Sequence, residues 1–514
     1  MLTKSDSDEI QSFLSDASHM REGRAERVVF PENFDEVAEI LREASQTKTP
    51  VTVSGAGTGT VGGRIPFAGI VLATDKLNQI KSVVHKEAGG RAVAEAGVRL
   101  ADLQRFVECE KLFYPPDPTE RSCFLGGTVA TNASGARTFK YGPTRNYVER
   151  LRIALTSGDV INLRRGELHA EHGAIKIPLP SGGVLEAQLP NYRMPRTRKH
   201  ASGYYVAPNM DVLDLFIGSE GTLGVIVGIE VKLLPKPEGL LSGIVFFKSD
   251  ESVLSFVSEA RSLSLANRQA RGREGRRLGS RSGERSGPAG LIDARALEYF
   301  DHESLTFLRQ KYETIPGDAV GAIFFEQETT PATEDRMMTE WLALLERHQA
   351  LTDDSWFATG EPDQAKLREF RHALPVLMNE WFARHKQRKV STDMSVPDAA
   401  FPEMLRFYHD TLRASELRYT IFGHIGDNHV HVNILPLDDA EAAKAREIYL
   451  QFLKRAAAVG GTLSAEHGIG KLKREYLPLF YSDENLRGMA ALKRAFDPNG
   501  ILGRGNIFSE ELIV

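Results

Sequence analysis

The sequence predicts an α+β protein of two or three structural units, and three observations carry that reading. At 514 residues the chain has room for about three domains of ~150 residues, or two with one large. Up to Pro237 it reads as short strands and helices broken by glycine-rich turns, and after Pro237 a strand–helix–strand–helix series begins. The end of the chain, from Ala440, carries mostly helical periodicity. Hydrophobic residues (41%) and charged residues (26%) are ordinary for a globular chain with a large core, and a net charge of −5 gives no overall basic field for nucleic acid. The only cysteines, Cys109 and Cys123, exclude a disulfide framework, a cysteine-rich zinc module and an Fe–S cluster needing four thiolates. The polar start lacks the apolar core of a secretory signal, and no apolar run approaches the ~18 residues of a membrane span. The expected location is cytoplasmic, with peripheral attachment to a membrane left open.

Four segments follow from these patterns. Residues 1–27 read as a helical N-terminal extension. Residues 28–237 form the first unit, with a helix over Asp35–Ala44 after Pro31-Glu32-Asn33 and strands at Pro50–Ser54 and Gly69–Ala73. Further strands read over Ala92–Gly97, in Val148–Leu163 and after the turn in Phe216–Leu234, with a helix over Ala101–Glu108. Residues 238–440 form the second unit, with strands Leu241–Phe247 and Gly321–Glu326 and helices Glu251–Arg261 and Pro331–Gln349. Inside it, the Arg/Gly/Ser-rich run 268–287 reads as a solvated loop without a function. Residues 441–514 form the C-terminal helical segment, with helices Ala443–Ala458 and Asn485–Phe496.

Two glycine-dense stretches lie in the first unit. Gly57-Thr58-Gly59-Thr60-Val61-Gly62 matches the dinucleotide fingerprint in form, with Asp75 downstream, but it runs into Gly63-Arg64-Ile65-Pro66-Phe67, which cannot open a helix onto a pyrophosphate. No P-loop lysine motif follows either. Five glycines in residues 55–63 nonetheless make a loop whose bare N–H groups can approach phosphate oxygens. The second stretch, Tyr114-Pro115-Pro116-Asp117-Pro118 through Gly126-Gly127-Thr128-Val129-Ala130-Thr131-Asn132-Ala133-Ser134-Gly135 to Tyr141-Gly142-Pro143, suits a backbone-lined slot for a large, flat, polar-edged ligand.

Together with GSEGTLGVI at Gly218–Ile226, these motifs resemble the PCMH-type FAD-binding domain of the vanillyl-alcohol oxidase family over roughly Val28–Pro237. The resemblance implies that Gly55, Ala56, Gly57, Thr58, Gly59 and Thr60 contact the FAD pyrophosphate. It also implies that Pro116, Asp117, Ser122, Gly126, Gly127, Thr131, Ser134, Gly135 and Gly142 line the flavin slot, and that Gly221 and Ile226 meet the adenine–ribose end. Some relatives attach FAD through a histidine in the first loop. None lies between Val51 and Phe67, so non-covalent FAD is expected.

Phe422-Gly423-His424-Ile425-Gly426-Asp427-Asn428-His429-Val430-His431-Val432-Asn433-Ile434-Leu435 reads as two strands, Tyr419–His424 and His429–Leu435, joined by a four-residue turn. Period two puts Val430, Val432 and Ile434 on the core face and His429, His431 and Asn433 on the other. A single strand histidine is more often structural, but three in eight residues, with Glu466-His467 downstream, fit a divalent metal: Zn²⁺, with Mn²⁺ or Fe²⁺ as alternatives.

This stretch and Ser464-Ala465-Glu466-His467-Gly468-Ile469-Gly470 resemble the C-terminal FAD-linked oxidase domain of glycolate oxidase, D-lactate dehydrogenase and D-2-hydroxyglutarate dehydrogenase. The resemblance implies His424, His431 and Glu466 as metal ligands, His467 as the base, and Asn433 near flavin and substrate. Arg371 best matches an arginine that grips the substrate carboxylate, with Arg368 nearby and Pro375 where a threonine is more usual. The chain departs from the pattern at Asn428-His429, where relatives often have Gly-Asn, which makes His429 a candidate extra ligand. Ser391 stands near a lysine of the hydroxyglutarate branch and turns the expectation away from that substrate.

The implied function is FAD-dependent, metal-assisted oxidation of a small D-2-hydroxy acid, of the D-lactate or glycolate class, to the 2-oxo acid. Electrons would pass to a quinone, a cytochrome, an electron-transfer flavoprotein or an Fe–S subunit. Two alternatives are a non-redox activity like that of alkyl-dihydroxyacetonephosphate synthase and a flavin subunit of a multi-subunit glycolate oxidase. No motif encodes an oligomeric state, and a homodimer is allowed.

Overall fold

The structure is a computed structural model that describes residues 1–277 and 290–512, with the backbone alone for 272–277. The chain divides into two compact units: Met1–Gly135, Gly142–Lys236 and Gly460–Val514 form the first, and Ala136–Tyr141 and Pro237–Val459 the second.

The first unit holds a four-stranded sheet in the order Leu2–Lys4, Arg27–Phe30, Ile70–Ala73, Val51–Ser54, the last three strands parallel. The helix Phe34–Thr47 supplies the crossover between parallel strands. Asn33 caps it by accepting the Glu36 N–H at 3.0 Å. Val37, Ala38, Ile40, Leu41 and Ala44 form its buried stripe against Val29, Ile70 and Leu72. Residues 1–27 begin with an edge strand, Leu2↔Phe30 in register, and bury Ile10 against Val28 and Phe30, so the expected helical extension is in part sheet. The second sheet is antiparallel, in the order Ile80–Lys86, Gly89–Glu95, Val225–Pro235, Val148–Ala154, Val160–Arg164, with Leu112–Phe113 joining Val225–Pro235. The strand Val225–Pro235 thus carries the end of the GSEGTLGVI motif into the middle of this sheet.

The second unit is built on a seven-stranded antiparallel sheet: Trp356–Ala358, Gly239–Phe247, Gly321–Thr329, Ala296–Asp301, Tyr419–Gly423, His431–Ile434, Val390–Ser391. Phe246, Phe300, Phe324, Phe370 and Leu374 pack the helix Glu361–His385 against it. The run that reads as a loop from Arg268 instead begins as a continuation of the helix Asp250–Arg277. Arg268 Nε lies 2.5 Å from Asp293 Oδ1 with its guanidinium over the Phe139 ring, and Arg271 lies 2.5 Å from Asp293 Oδ2. These partners are distant in sequence, so local composition alone reads as solvated. Residues 278–287 of that run lie outside the described residues. The C-terminal segment divides as well. The helix Asp439–Ala458 belongs to the second unit, whereas the helix Asp483–Phe496 and the irregular chain around it belong to the first. The change falls at Gly460, whose φ of +75° ends the helical path.

Candidate active site

In the first unit, the strand Val51–Ser54 ends in the glycine loop, and no helix follows before the next strand. Arg64 pins this loop from behind, donating to Gly55 O (2.8 Å), Ser54 Oγ (3.1 Å) and Ser15 O (2.8 Å). Gly57 has a φ of +80°, and a Cβ there would fall 2.5 Å from the Arg64 guanidinium carbon. Glycine is required at that position on both counts. The loop walls a cavity of ≈ 330 Å³ that is otherwise lined by Phe124, Gly126, Gly127, Thr131, Ser134, Gly221 and Ile226, and by Glu466 and His467. A Cβ added at Gly59 or Gly127 would meet no protein atom within 4 Å, so these glycines leave open space where a ligand can approach the backbone.

Several expected slot residues hold the frame without lining the cavity. A Cβ at Gly135 would lie 2.0 Å from Asp117 O, and one at Gly142 (φ +78°) would lie 2.0 Å from the Asn146 amide. Pro116 O accepts Gln104 Nε2 at 2.9 Å, Asp117 faces Arg121 at 3.7 Å, and the Ser122 N–H donates to Glu120.

Two charged residues that the sequence did not single out shape the cavity. Lys199, whose side chain has no exposure, places Nζ 2.5 Å from Glu466 Oε1 and 3.1 Å from Gly135 O, and Ser134 Oγ donates to the same Glu466 oxygen at 3.0 Å. Glu220 (φ +53°) accepts the backbone N–H groups of Ile469 (2.7 Å) and Gly470 (2.6 Å), holding the stretch that follows His467. Burial pushes the Glu220 carboxyl up to about 7 despite those two donors. Burial, reinforced by Arg145, holds His200 down to about 3, so it stays neutral. His467 is half-buried at the cavity wall.

In the second unit, the strands Tyr419–Gly423 and His431–Ile434 flank a turn whose Asn428 adopts the left-handed region (φ +54°). Asparagine tolerates that conformation next best to glycine, so the Asn428 departure preserves the turn, and Asn428 Nδ2 donates to Asp398 Oδ1 at 2.5 Å. Val430, Val432 and Ile434 are buried as expected, but the opposite face is buried too: His429 is fully enclosed and Asn433 nearly so. Asn433 pairs in register with Ser391 and Thr420. His424 Nδ1 lies 2.7 Å from Glu298 Oε1, and His431 Nδ1 lies 3.1 Å from Thr392 O. Arg371 Nε donates to the other Glu298 oxygen at 3.1 Å, so the expected carboxylate clamp is tied through one carboxylate to His424. Pro375 has no N–H to give the Arg371 carbonyl one turn earlier, a local break in the helix ladder at this arginine. Glu298 was legible only as a charged residue among Leu297, Tyr299 and Phe300 in the strand Ala296–Asp301.

The first unit thus offers a glycine-walled cavity open to a large ligand, and the second an antiparallel sheet carrying clustered imidazoles. Residues 25–164 match the FAD binding domain family, and residues 290–507 match FAD linked oxidases, C-terminal domain. The chain therefore carries an FAD binding domain and the C-terminal domain of FAD linked oxidases, and it is an FAD-linked oxidoreductase. Relatives include the glycolate oxidase subunit GlcD of Bacillus subtilis, 29% identical over 96% of this chain and 92% of its own. The D-lactate dehydrogenase of Anaerostipes hadrus is 29% identical over 94% of this chain and 90% of its own. The D-2-hydroxyglutarate dehydrogenase of Stutzerimonas stutzeri is 26% identical over 94% and 90%. Among solved structures, an alkyldihydroxyacetonephosphate synthase superposes with a TM-score of 0.63 at 14% identity, covering 98% of this chain and 81% of that one, a likeness of fold. Among the described residues no helix is long and apolar enough to cross a membrane.

Proposed function

We propose that the chain oxidises a D-2-hydroxy acid of the D-lactate or glycolate class to the 2-oxo acid, with FAD held non-covalently in the glycine-walled cavity and a divalent metal, Zn²⁺ first, held by His424, His431 and Glu466. The cavity of the first unit carries this reading, because one wall presents glycine backbone at Gly59 and the other presents His467. When bound, FAD supplies the two-electron acceptor at flavin N5 and the metal supplies Lewis acidity toward the substrate hydroxyl. The residues do the rest. A ring nitrogen of His467 takes the hydroxyl proton as the Cα hydrogen leaves with its electron pair and the C=O bond forms. Arg371, steadied by Glu298, fixes the substrate carboxylate and so selects the Cα face. Asn433 lies near flavin and substrate. The loop Gly55–Thr60 meets the pyrophosphate, and Pro116, Asp117, Ser122, Gly135 and Gly142 support the flavin slot from its frame.

The names of the relatives support the substrate class. One of them is called a subunit, which favours a second reading in which this chain is the flavin-bearing partner of an assembly. With only Cys109 and Cys123 the chain holds no four-thiolate cluster of its own, which accords with electrons leaving to a quinone, cytochrome, electron-transfer flavoprotein or Fe–S subunit. A panel of D- and L-2-hydroxy acids, tested anaerobically for bleaching of the bound flavin, tests the proposal. Bleaching by D-lactate or glycolate is expected, and no bleaching by any 2-hydroxy acid overturns it.

A further inference from the structure

We propose that His429 is a direct third imidazole ligand of the metal, so that the second unit alone presents a three-histidine site. This rests on the metal-assisted reading above and adds a ligand to it. One ring nitrogen from each of His424, His429 and His431 lies within 4.8 Å of the others, close enough that a modest inward rotation of the rings brings all three to ~2.0–2.1 Å from a common ion. The ring centroids are 5.5 Å (His424–His429), 5.7 Å (His424–His431) and 4.5 Å (His429–His431) apart.

Each imidazole also turns one nitrogen toward an oxygen of this same unit. His424 Nδ1 faces Glu298, His431 Nδ1 faces the Thr392 carbonyl, and His429 Nε2 lies 3.2 Å from Asp393 Oδ1. At His424 and His431 the acceptor on Nδ1 holds the proton there and turns Nε2 toward the ion, the outer-shell arrangement that orients histidine ligands, and Asp393 sets a carboxylate beside the His429 ring. His429 is part of this arrangement by construction: its side chain has no exposure, Asp393 beside it is buried, and its N–H donates to His424 O at 3.2 Å, closing the turn that aligns the rings.

Glu466 contributes differently. Its Oε1 is already shared between the Lys199 ammonium and the Ser134 hydroxyl, which neutralises much of its charge within the first unit. Three imidazoles with a muted carboxylate favour Zn²⁺ over the harder Mn²⁺.

The test uses the FAD-loaded full chain, stripped with a chelator and dialysed against Zn²⁺, with bound zinc and flavin absorbance measured on each sample. His429→Asn, which restores the residue common among relatives, is expected to weaken zinc binding at least ~100-fold, more than outer-shell changes typically cost, with flavin content unchanged. X-ray absorption at the zinc edge of the unmodified protein gives an answer that does not depend on a variant folding: three imidazoles are expected. Two imidazoles, or unchanged zinc affinity in His429→Asn while His424→Asn loses zinc, overturns the role of His429 and leaves the metal reading standing. An unmodified chain that takes up no zinc overturns the metal reading itself, and this inference with it.

Discussion

Replacing Lys199 by Met removes one of the fully buried charges of the first unit. Its Nζ lies 2.5 Å from Glu466 Oε1, with side-chain exposures of 0% and 9%. At an effective dielectric of ~20 this separation corresponds to an attraction of roughly 6–7 kcal/mol. Desolvating the two ions costs several kcal/mol each, so the pair as a whole is close to neutral for stability. Removing one partner is a different matter. Lys199→Met leaves the Glu466 carboxylate buried without its ammonium partner while Ser134 still donates to it, at a cost of ~3–5 kcal/mol. With a urea m-value of ~3 kcal/mol per molar, the midpoint should fall by about 1–1.7 M. Lys199→Met/Glu466→Gln should cost no more than Lys199→Met alone, because the second change removes the stranded charge. For the same reason the deficit of the single variant should shrink on acidification. All three tryptophans, Trp341, Trp356 and Trp381, lie in the second unit, so flavin release must report the first unit while tryptophan fluorescence reports the second separately. A Lys199→Met variant within ~0.5 kcal/mol of the parent, or strictly additive singles, would refute the pairing argument.

Other changes separate fold from function. Gly59→Leu points into open space, so the apoprotein should keep its unfolding midpoint yet purify without flavin absorbance; full FAD content would remove this loop from the cofactor site. His467→Ala should keep its flavin and lose ~10²–10⁴ in the rate of bleaching by substrate, and an unchanged rate would exclude it as the base. Because burial raises the Glu220 carboxyl from the ordinary range to about 7, the native chain binds the extra proton between those values. The stability it contributes is full below the ordinary carboxylate range and is lost as pH rises through about 7. Glu220→Gln should therefore flatten the urea midpoint between pH 5 and pH 8, and an unaltered pH slope would contradict the burial argument.

Residues whose role is local were legible in the sequence. The glycine loop, the GGTVATNASG and GSEGTLG stretches and the histidine hairpin each combine turn chemistry with periodicity inside a short window. What escaped are partners that only tertiary structure supplies. Lys199 meets Glu466 across 267 positions, and Glu220 meets Ile469 across 249. Neither leaves a periodic trace, although a charge inside the glycine motif, as at Glu220, was a visible sign of a buried polar role. Arg268 and Arg271 show the converse: a composition that reads as solvated is satisfied at Asp293. Period two separates Val432 and Ile434 from His431 and Asn433, but periodicity cannot tell a solvated face from an enclosed one, and here Asn433 is buried and His431 half-buried.

The central claim is a glycine-walled flavin site that takes hydride from a 2-hydroxy acid. Anaerobic absorbance of the purified, FAD-reconstituted chain tests it most directly. One bound flavin per chain, bleached on adding D-lactate or glycolate and unaffected by the L-enantiomer of lactate, is the predicted result. A chain that stays colourless after incubation with FAD would contradict it.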